Sequence, residues 1–502
     1  MRHICQNRAM NVKFMGLSCL VIDFMLKTGN ESASQLFPEM KEGGDIMRGS
    51  KKSSVLFVAI AFVLTLFLTA CSQDAAKESE GGKDADKNPS NEKQVEITWW
   101  NFPNFQALDG EVGKYEKEII ATFNEKNPDI KVKLEMLTFE GGPEKLNVAI
   151  ATNTAPDMIY DAPGRIIDWG KKGLLAPLND MMPDEVKNDI SPALMKQSMV
   201  GDQVYMYPFN TGPFMMAVNK TLFEDIGELD LLPLDRPDRT WTVAEYEKAL
   251  NAVKEKAPGI IPSGFYAKSV AGDQGTRGYI TNLGTSRFLN EDYSAVAINS
   301  ESGIKGLEWV VQASRDGLVA PGAASLDAGD HNDLFLQGKM AFAINYSAVL
   351  KSLFAPNKTE DFEDVLLPYP TPDGSDPKLE PFLGGLAVFN NDDDKKTEAA
   401  KKLVDFIVND PEWGEKNLIQ TGGLSARNSV TGLYEGSEYD YSELARKFIT
   451  DPPTVADGYA EVRTFWFPAL QEAILETKSA KEALDEFAEK SNAAIEKAKA
   501  AN

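Results

Sequence analysis

The chain has 502 residues, with 76 Asp and Glu against 52 Lys and Arg, and a formal net charge of −24. Nucleic-acid binding depends on basic patches, so this acidic balance argues against a nucleic-acid partner. Only two His are present, and no G-x-S-x-G, HExxH, P-loop or GxGxxG pattern occurs. The common motifs of nucleophilic, zinc-dependent and nucleotide-binding enzymes are therefore missing.

An export signal stands near the start of the chain. Residues 55–68 are fourteen residues without a charge, and Arg48, Lys51 and Lys52 precede them. A membrane-spanning helix needs roughly 20 apolar residues, so the run fits the core of a signal peptide instead. Leu68-Thr69-Ala70-Cys71 follows and resembles a lipobox. We therefore expect a lipoprotein signal peptide over 47–70, a diacylglycerol on Cys71, and anchoring to the extracellular face of the cell membrane.

The residues on either side of this signal are not expected to belong to the folded body. Signal peptides begin within a few residues of their basic region, so Met47 is the better start, and residues 1–46 are expected to be a mis-assigned upstream start. Residues 72–94 hold no apolar side chain larger than Ala. Such a segment cannot bury enough surface to fold, so 71–94 is predicted to be a lipidated Cys followed by a disordered tether. Cys71 is the only Cys after Met47, and no disulfide is expected.

Strand and helix patterns alternate after the tether. Periodicity and breaker residues predict strands at Val95–Trp100, Ile130–Leu134 and Met158–Tyr160, and helices at Val112–Lys126, Glu144–Thr152 and Ile166–Lys172. A β-α-β-α-β order predicts a parallel sheet covered by helices. Ligands of such sheets bind in the crevice outside the carboxyl ends of the strands. The segment from Ala469 to Ala500 is predicted to be helical.

Several short motifs resemble those of a known protein family and occur in the same order along the chain. They are Phe123-Asn124-Glu125-Lys126-Asn127-Pro128-Asp129-Ile130-Lys131-Val132, Ala155-Pro156-Asp157-Met158-Ile159-Tyr160, Gly173-Leu174-Leu175-Ala176-Pro177-Leu178, Tyr207-Pro208 through Val218-Asn219-Lys220-Thr221-Leu222-Phe223, Thr240-Trp241-Thr242, and Phe335-Leu336-Gln337-Gly338-Lys339-Met340-Ala341-Phe342. Together they resemble the extracellular solute-binding proteins of bacterial ABC importers, and most of all the carbohydrate-binding group.

The resemblance implies an α/β, two-lobed periplasmic-binding-protein-like fold. Each lobe would hold a mostly parallel sheet flanked by helices, with the ligand cleft between the lobes. The N-terminal lobe would take 95–209 plus 383–420, and the C-terminal lobe 210–382 plus 421–502. Phe209-Asn210 and Phe382 to Gly385 would act as hinges, and Gly384-Gly385 suits this because Gly tolerates unusual backbone angles.

The expected site should offer aromatic platforms and a few planar donors or acceptors, because a neutral sugar presents hydroxyls and flat C–H faces. Side chains alternate along a strand, so one of Trp99 and Trp100 should be core and the other can reach the cleft. We favour Trp100. The full set of predicted ligand-binding residues is Trp100, Asn101, Asp161, Thr211, Tyr266, Asn345, Tyr346, Gly385 and Trp466.

Alternatives remain open at several of these positions. Asp161 could accept a sugar hydroxyl or cap a helix, and Arg165 fits a surface salt bridge better than a ligand contact. Relatives often carry a Trp two residues after the position of Tyr346, where this chain has Ala348, so Tyr346 is the expected substitute. Asp330-His331-Asn332-Asp333 fits a polar helix start better than a metal site.

The implied function is capture of a small solute, most plausibly a sugar or oligosaccharide, and its delivery to the permease subunits of an ABC importer. We expect no catalytic residue, metal or cofactor, and a monomer. Two other functions stay open: a lipid-anchored carbohydrate-active enzyme that uses a carboxylate pair, or a surface lipoprotein with no role in transport.

Overall fold

A computed structural model describes residues 94–501 except 140, 270 and 438. The predicted upstream segment 1–46, the signal peptide, Cys71 and all of the tether but Gln94 lie outside these residues. Among the described residues, no helix is both long enough and apolar enough to cross a bilayer.

The first half of the described chain alternates strands and helices. Its strands are β1 Val95–Asn101, β2 Ile130–Met136, β3 Met158–Asp161, β4 Met199–Val200, β5 Gln203–Val204, β6 Tyr207–Pro213 and β7 Met215–Asn219. Its helices are α1 Lys114–Lys126, α2 Gly142–Ala151, α3 Pro163–Lys171, α4 Asp184–Asn188, α5 Pro192–Lys196 and α6 Lys220–Asp225.

The second half is richer in helix. Its helices are α7 Val243–Lys256, α8 Asp273–Gly284, α9 Glu301–Arg315, α10 Ala328–Leu336, α11 Ala348–Phe354, α12 Asp394–Asn409, α13 Trp413–Gln420, α14 Asp440–Ala445, α15 Tyr459–Val462, α16 Trp466–Ile474 and α17 Ala480–Ala501. Its strands are β8 Ile261–Ser263, β9 Met340–Tyr346, β10 Asp364–Leu367, β11 Pro381–Val388 and β12 Leu424–Ser425.

The first six predicted elements are confirmed, with small shifts at their ends. Helix α1 begins at Lys114 rather than Val112, because Gly113 takes a left-handed conformation with φ 82° just before it. Helix α3 begins three residues early, at Pro163, where a Pro in the first turn is tolerated because its missing N–H has no helical partner there.

The segment predicted to be helical over 469–500 is helical, but it forms two helices with a short break between them. Helix α16 ends at Ile474, and α17 begins only at Ala480. Glu476 lies between them in a left-handed conformation with φ 56°. Ser479 then starts the second helix, because its Oγ accepts a hydrogen bond from the Glu482 backbone N–H at 3.2 Å.

Two sheets organise the fold. The first has the strand order β12-β6-β11-β3-β1-β2, and the second β10-β7-β9-β8. Strand β1 is parallel to β2 and β3, as predicted, but β6, β11 and β12 join the first sheet antiparallel. In the second sheet only β8 and β9 are parallel. Both sheets are therefore mixed rather than mostly parallel, because the strands that cross between the sheets must run back and forth.

Each sheet has its own hydrophobic core. The core of the first sheet collects apolar residues from Ile97 to Phe209 and from Leu383 to Leu418, with Ala426. The core of the second collects residues from Met215 to Leu379 and from Tyr441 to Ile495. Along the chain, these cores are separated at 210–214, 380–382 and 427–440. The expected lobe divisions at 209/210, 382/383 and 420/421 stay predictions.

Candidate functional site

The strand register shows which way the carboxyl ends of β1, β2 and β3 point. Asp161, the last residue of β3, is paired with Gly385 of β11. From Gly384 back to Pro381, β11 is paired only with β6, and β7 of the second sheet begins two residues after β6 ends. The ends of β1–β3 therefore face these two linking strands and the second lobe, which is where the crevice was expected.

Two stacked aromatic rings lie at this edge. Phe102, directly after β1, and Phe139, shortly after β2, are stacked with centroids 5.6 Å apart and planes 6° from parallel. Phe102 is buried, whereas Phe139 is 61% exposed. Phe139 thus offers a free aromatic face at the carboxyl end of β2.

An ion pair follows β3 beside these rings. Arg165 donates to the Asp161 carboxylate from Nε at 2.6 Å and from Nη2 at 2.5 Å, and its guanidinium lies 5.2 Å from the centroid of the Phe102 ring. Asp161 Oδ1 also accepts a bond from the Ala162 backbone N–H at 2.7 Å. The predicted salt bridge of Arg165 is confirmed. Ala162, not Asp161, holds the helix N-cap position.

A chain of amides connects the end of β1 to a buried carboxyl group. Asn101 is fully buried and donates from Nδ2 to Glu116 Oε1 at 2.8 Å. Asn104 donates from Nδ2 to the Tyr160 carbonyl at 3.0 Å, and more weakly to Asn101 Oδ1 at 3.4 Å. Burial raises the pKa of Glu116 to about 7. Asn104 Oδ1 makes no hydrogen bond to any described residue and remains available at the edge of the crevice.

The predicted alternation of the two tryptophans agrees with the burial pattern. Trp99 is fully buried and meets the Phe105 ring edge-on, while Trp100 is half-buried with Lys145 Nζ 5.1 Å from its centroid. Lys145 belongs to α2, so Trp100 lies on the face of the sheet that this helix covers. A ligand contact by Trp100 remains a prediction.

The linking strands place three polar or small residues together. Tyr160 Oη donates to Asn210 Oδ1 at 2.6 Å, and Asn210 Nδ2 is buried with no hydrogen-bond partner among the described residues. Thr211 Oγ1 donates to the Phe382 carbonyl at 2.6 Å. A bulge separates Gly384 from Gly385, and a Cβ on Gly385 would lie 2.5 Å from both Met206 Cγ and the Tyr207 carbonyl oxygen. The predicted Thr211 and Gly385 therefore have clear structural roles at the link.

The second lobe brings two predicted residues together around α8. Strand β9 ends beside the start of β7, so the loops after β8 and β9 face the link. Gln274 Nε2 donates to Asn345 Oδ1 at 3.3 Å. A Cβ on Gly275 would touch both Asn345 and the hydroxyl of Tyr266, which shows how closely these groups approach. Tyr266 donates to the Gly272 carbonyl and packs against His331 and Phe467, so its ring is fully buried.

Two predicted aromatic platforms prove to be core residues in this conformation. Trp466 is fully buried, donates from Nε1 to Thr276 Oγ1 at 2.9 Å and meets the Phe288 ring edge-on. Tyr346 is buried against Phe335. Neither ring has an open face, because both lie inside the helices that cover the second sheet. Tyr266, also predicted as a platform, is likewise a buried core residue.

Two groups of charged side chains near these loops are paired internally. Asp161 holds Arg165, and in the second lobe Asp273 accepts from Arg277, from Arg463 Nη2 at 2.5 Å and from Tyr459 at 2.8 Å. Arg277 also donates to Glu380 from Nη2 at 2.7 Å. The nearby cations lower the pKa of Asp273 to about 2 against the opposing effect of burial. Two acids and two arginines therefore balance each other beside the start of α8.

Other features lie away from this edge. Within the part of the chain that the structure describes, no group of three or more His, Cys, Asp or Glu is arranged to hold a metal ion. Asp327 caps α10 and exchanges hydrogen bonds with Asp330, so the polar helix start predicted around His331 is confirmed. A shallow hollow of about 270 Å³ on α13 contains none of the predicted site residues.

Comparison with known proteins identifies the family of this chain. The sequence profile described as "Bacterial extracellular solute-binding protein" matches residues 108–412. The chain belongs to this family. A solute-binding protein of Thermotoga lettingae crystallised with α-D-tagatose has the same two-lobed fold, with a TM-score of 0.63, 21% identity, and coverage of 80% of this chain and 100% of that one.

Curated relatives match at similarly low sequence identity. A Brucella abortus (strain 2308) protein named only as a binding protein is 26% identical over 234 residues, 46% of this chain and 54% of its own length. This solute-binding protein thus spans about half the length of the first curated relatives it matches. The arabinooligosaccharide-binding protein of Bacillus subtilis (strain 168) is 22% identical over 477 residues, 87% of this chain and 98% of its own.

Sequence reasoning missed Phe139, Phe102 and Asn104. One signal could have found Phe139: it is a large aromatic residue a few positions past the carboxyl end of the predicted strand Ile130–Leu134. Asn104 had no such signal, because only the folded loop brings its side chain against Tyr160.

Proposed function

We propose that this solute-binding protein captures a neutral saccharide between its lobes outside the cell and hands it to the permease of an ABC importer. The observation that carries the proposal is the arrangement past β1, β2 and β3: an open Phe139 ring, a half-exposed Arg165 neutralised by Asp161, and the available oxygen of Asn104. Aromatic faces pack against the C–H faces of sugars, and paired polar groups bind hydroxyls.

The balance of charge favours a neutral ligand over an ionic one. An anionic or cationic solute would need an unpaired opposite charge, because burying an uncompensated charge costs several kcal/mol. Asp161 and Arg165 cancel in the first lobe, and Asp273, Glu380, Arg277 and Arg463 cancel in the second. The names of the Bacillus subtilis and Thermotoga relatives point the same way, toward sugars and oligosaccharides.

A screen of thermal stability tests the ligand class. The full-length chain is melted with arabinotriose, maltotriose and tagatose, and in parallel with spermidine and 2-aminoethylphosphonate. A ligand that binds only the folded state raises the melting temperature, so a saccharide should raise it and the two ions should not. A shift with either ion and with no saccharide would contradict the neutral-ligand proposal.

The same proposal excludes turnover. A glycosidase of the carboxylate-pair type needs one acid free to donate a proton and another free to act as base or nucleophile. Asp161 and Asp273 are both held by arginines instead, and Glu116, which has no cation, is only 1% exposed and lies behind Asn101. We expect the bound saccharide to be recovered unchanged after long incubation, as measured by chromatography. Accumulating product would favour the enzyme alternative, and no binding at all would favour a surface lipoprotein without a transport role.

Lipid anchoring through Cys71 belongs to this proposal. An anchor would keep a binding protein near its permease, and two acyl chains suffice for stable attachment. Cys71→Ser is expected to release a folded monomer from the membrane fraction. Retention of this variant in salt-washed membranes would contradict the anchor.

A further inference from the structure

The buried carboxyl group of Glu116 has no charged partner. Glu116 lies in the first turn of α1 with 1% of its surface exposed, and among the described residues it forms no ion pair. Nearby cations are engaged elsewhere: Lys114 pairs with Asp109, and Lys117 with Glu111 at 2.7 Å. The Glu116 carboxylate accepts a hydrogen bond from Asn101 Nδ2 at 2.8 Å and is also stabilised by its own backbone N–H in the first turn of the helix. A buried acid without a cation is costly, so a use for it is worth seeking.

Other titratable groups around Glu116 are turned away from it. Lys117, the next residue of α1, attracts the carboxylate weakly through space. Tyr115 donates to Asn417 Oδ1 at 2.9 Å, and Lys416 of α13 lies 5.7 Å from the Tyr115 ring centroid. On β2, Glu135 pairs with Lys145. The amide of Asn101 is thus the group that responds most directly to the state of Glu116.

An ionised carboxylate fixes the orientation of that amide. A carboxylate only accepts hydrogen bonds, so the Asn101 nitrogen must face Glu116 and the Asn101 oxygen must face away. The Asn101 oxygen then accepts a hydrogen bond from Asn104 Nδ2 at 3.4 Å. The same nitrogen also donates to the Tyr160 carbonyl at 3.0 Å. This leaves the Asn104 oxygen without a donor among the described residues, so that it can accept a hydrogen bond from a ligand.

We propose that Glu116 is a positioning residue of the saccharide site, which acts through Asn101 to present the Asn104 oxygen to a sugar hydroxyl. Protonated Glu116 can donate as well as accept, so it no longer dictates which way the Asn101 amide points. A turned Asn101 would set its nitrogen against the nitrogen of Asn104, and two donors repel. The proposal rests on the neutral-saccharide function and predicts that binding weakens on acidification. Because the pKa of Glu116 is near 7, the change falls in an accessible range.

The binding arm of the test compares three proteins. Affinities for arabinotriose, maltotriose and tagatose are measured between pH 5.5 and 8.5 on the full chain carrying Cys71→Ser, which avoids detergent. We expect about a fivefold loss at low pH, the cost of one hydrogen bond. Glu116→Gln mimics the protonated carboxyl group. At every pH it should bind the saccharide with the affinity that the starting protein has at low pH. Glu125→Gln, an exposed change on the same helix, should keep the normal profile.

A second arm works without any ligand. Asparagine side-chain amides labelled with ¹⁵N are followed by NMR over the same pH range. The resonances of Asn101 and Asn104 should move together with a midpoint near 7 in the starting protein and stay fixed in Glu116→Gln. Movement of Asn101 alone, or of neither, overturns the positioning role. If the resonances of Asn101 and Asn104 move together but no saccharide binds, the relay is supported and the proposed ligand class is wrong. If Glu116→Gln binds the saccharide as tightly as the starting protein does at high pH, the relay is overturned but the saccharide function is not.

Discussion

At the scale of single residues, the open ring of Phe139 carries the first prediction. Phe139→Ala removes the exposed face of the stack, and loss of a stacking residue at a binding hot spot costs about 2 kcal/mol or more, some thirtyfold in affinity. The melting temperature without ligand should hardly change, because the ring is 61% exposed. Titration calorimetry with the saccharide found in the screen measures the loss.

Two variants serve as controls for this prediction. Val148→Ala removes another exposed apolar side chain from neighbouring α2 and should leave affinity unchanged. Trp466→Ala empties the core of the second lobe and should lower the free energy of unfolding by about 3–5 kcal/mol. Unchanged binding by Phe139→Ala would place the saccharide elsewhere in the crevice.

His331 provides a prediction about pH. Its Nε2 accepts a hydrogen bond from the Ile344 backbone N–H at 3.2 Å, so that nitrogen carries no proton, and burial lowers the pKa of His331 to about 4. Between pH 6.5 and 4 the unfolded chain binds a proton that the folded chain does not. Stability therefore falls as pH drops through this window, by about 3 kcal/mol for this group.

The comparison must be made against His331→Gln, because Glu116 acts with the opposite sign. Its pKa is raised, so the folded chain holds a proton between pH 4.5 and 7 that the unfolded chain lacks, and stability falls as pH rises. Urea unfolding at several pH values measures the difference between the starting protein and His331→Gln. If the difference in free energy of unfolding between the two proteins does not shrink as the pH falls, His331 titrates normally.

At the scale of elements, the link between the lobes depends on close packing of β6 against β11. Gly385→Ala would put a Cβ 2.5 Å from Met206 Cγ and from the Tyr207 carbonyl. We expect the free energy of unfolding to fall by about 1–3 kcal/mol, the usual cost of overpacking. Gly212→Ala on the same pair of strands meets no atom within 4 Å and should change stability by less than about 0.5 kcal/mol. Equal melting temperatures for the two variants would contradict this account.

At the scale of the whole molecule, two lobes with separate cores and a two-strand link should move relative to each other. A saccharide that contacts both lobes favours the closed arrangement, because only that arrangement gains contacts from both sides. Small-angle scattering should show a smaller radius of gyration with saturating saccharide than without it. An unchanged radius in the presence of confirmed binding would rule out closure as the mechanism.

The sequence by itself determined the parts of this protein that depend on local patterns. Hydrophobic period and breakers predicted β1–α1–β2–α2–β3–α3 because these elements are set by residues close together in the chain. The ordered motifs predicted the family, and strand alternation separated Trp99 from Trp100. The helical composition of 469–500 predicted the two helices there but not the break between them, where Glu476 takes a left-handed conformation.

The tertiary structure alone decided the crevice, because its residues come from loops far apart in sequence. A Trp in a Phe-Trp-Phe run has the composition of a sugar platform, yet the burial of Trp466 follows from helices that pack on it from elsewhere. Phe139 is an ordinary turn residue until β1 places Phe102 beneath it. Glu116 is one of 76 acids, and only packing against the end of β1 leaves it buried beside Asn101. Exposure and pairing are properties of contacts between distant segments, and periodicity along the chain does not contain them.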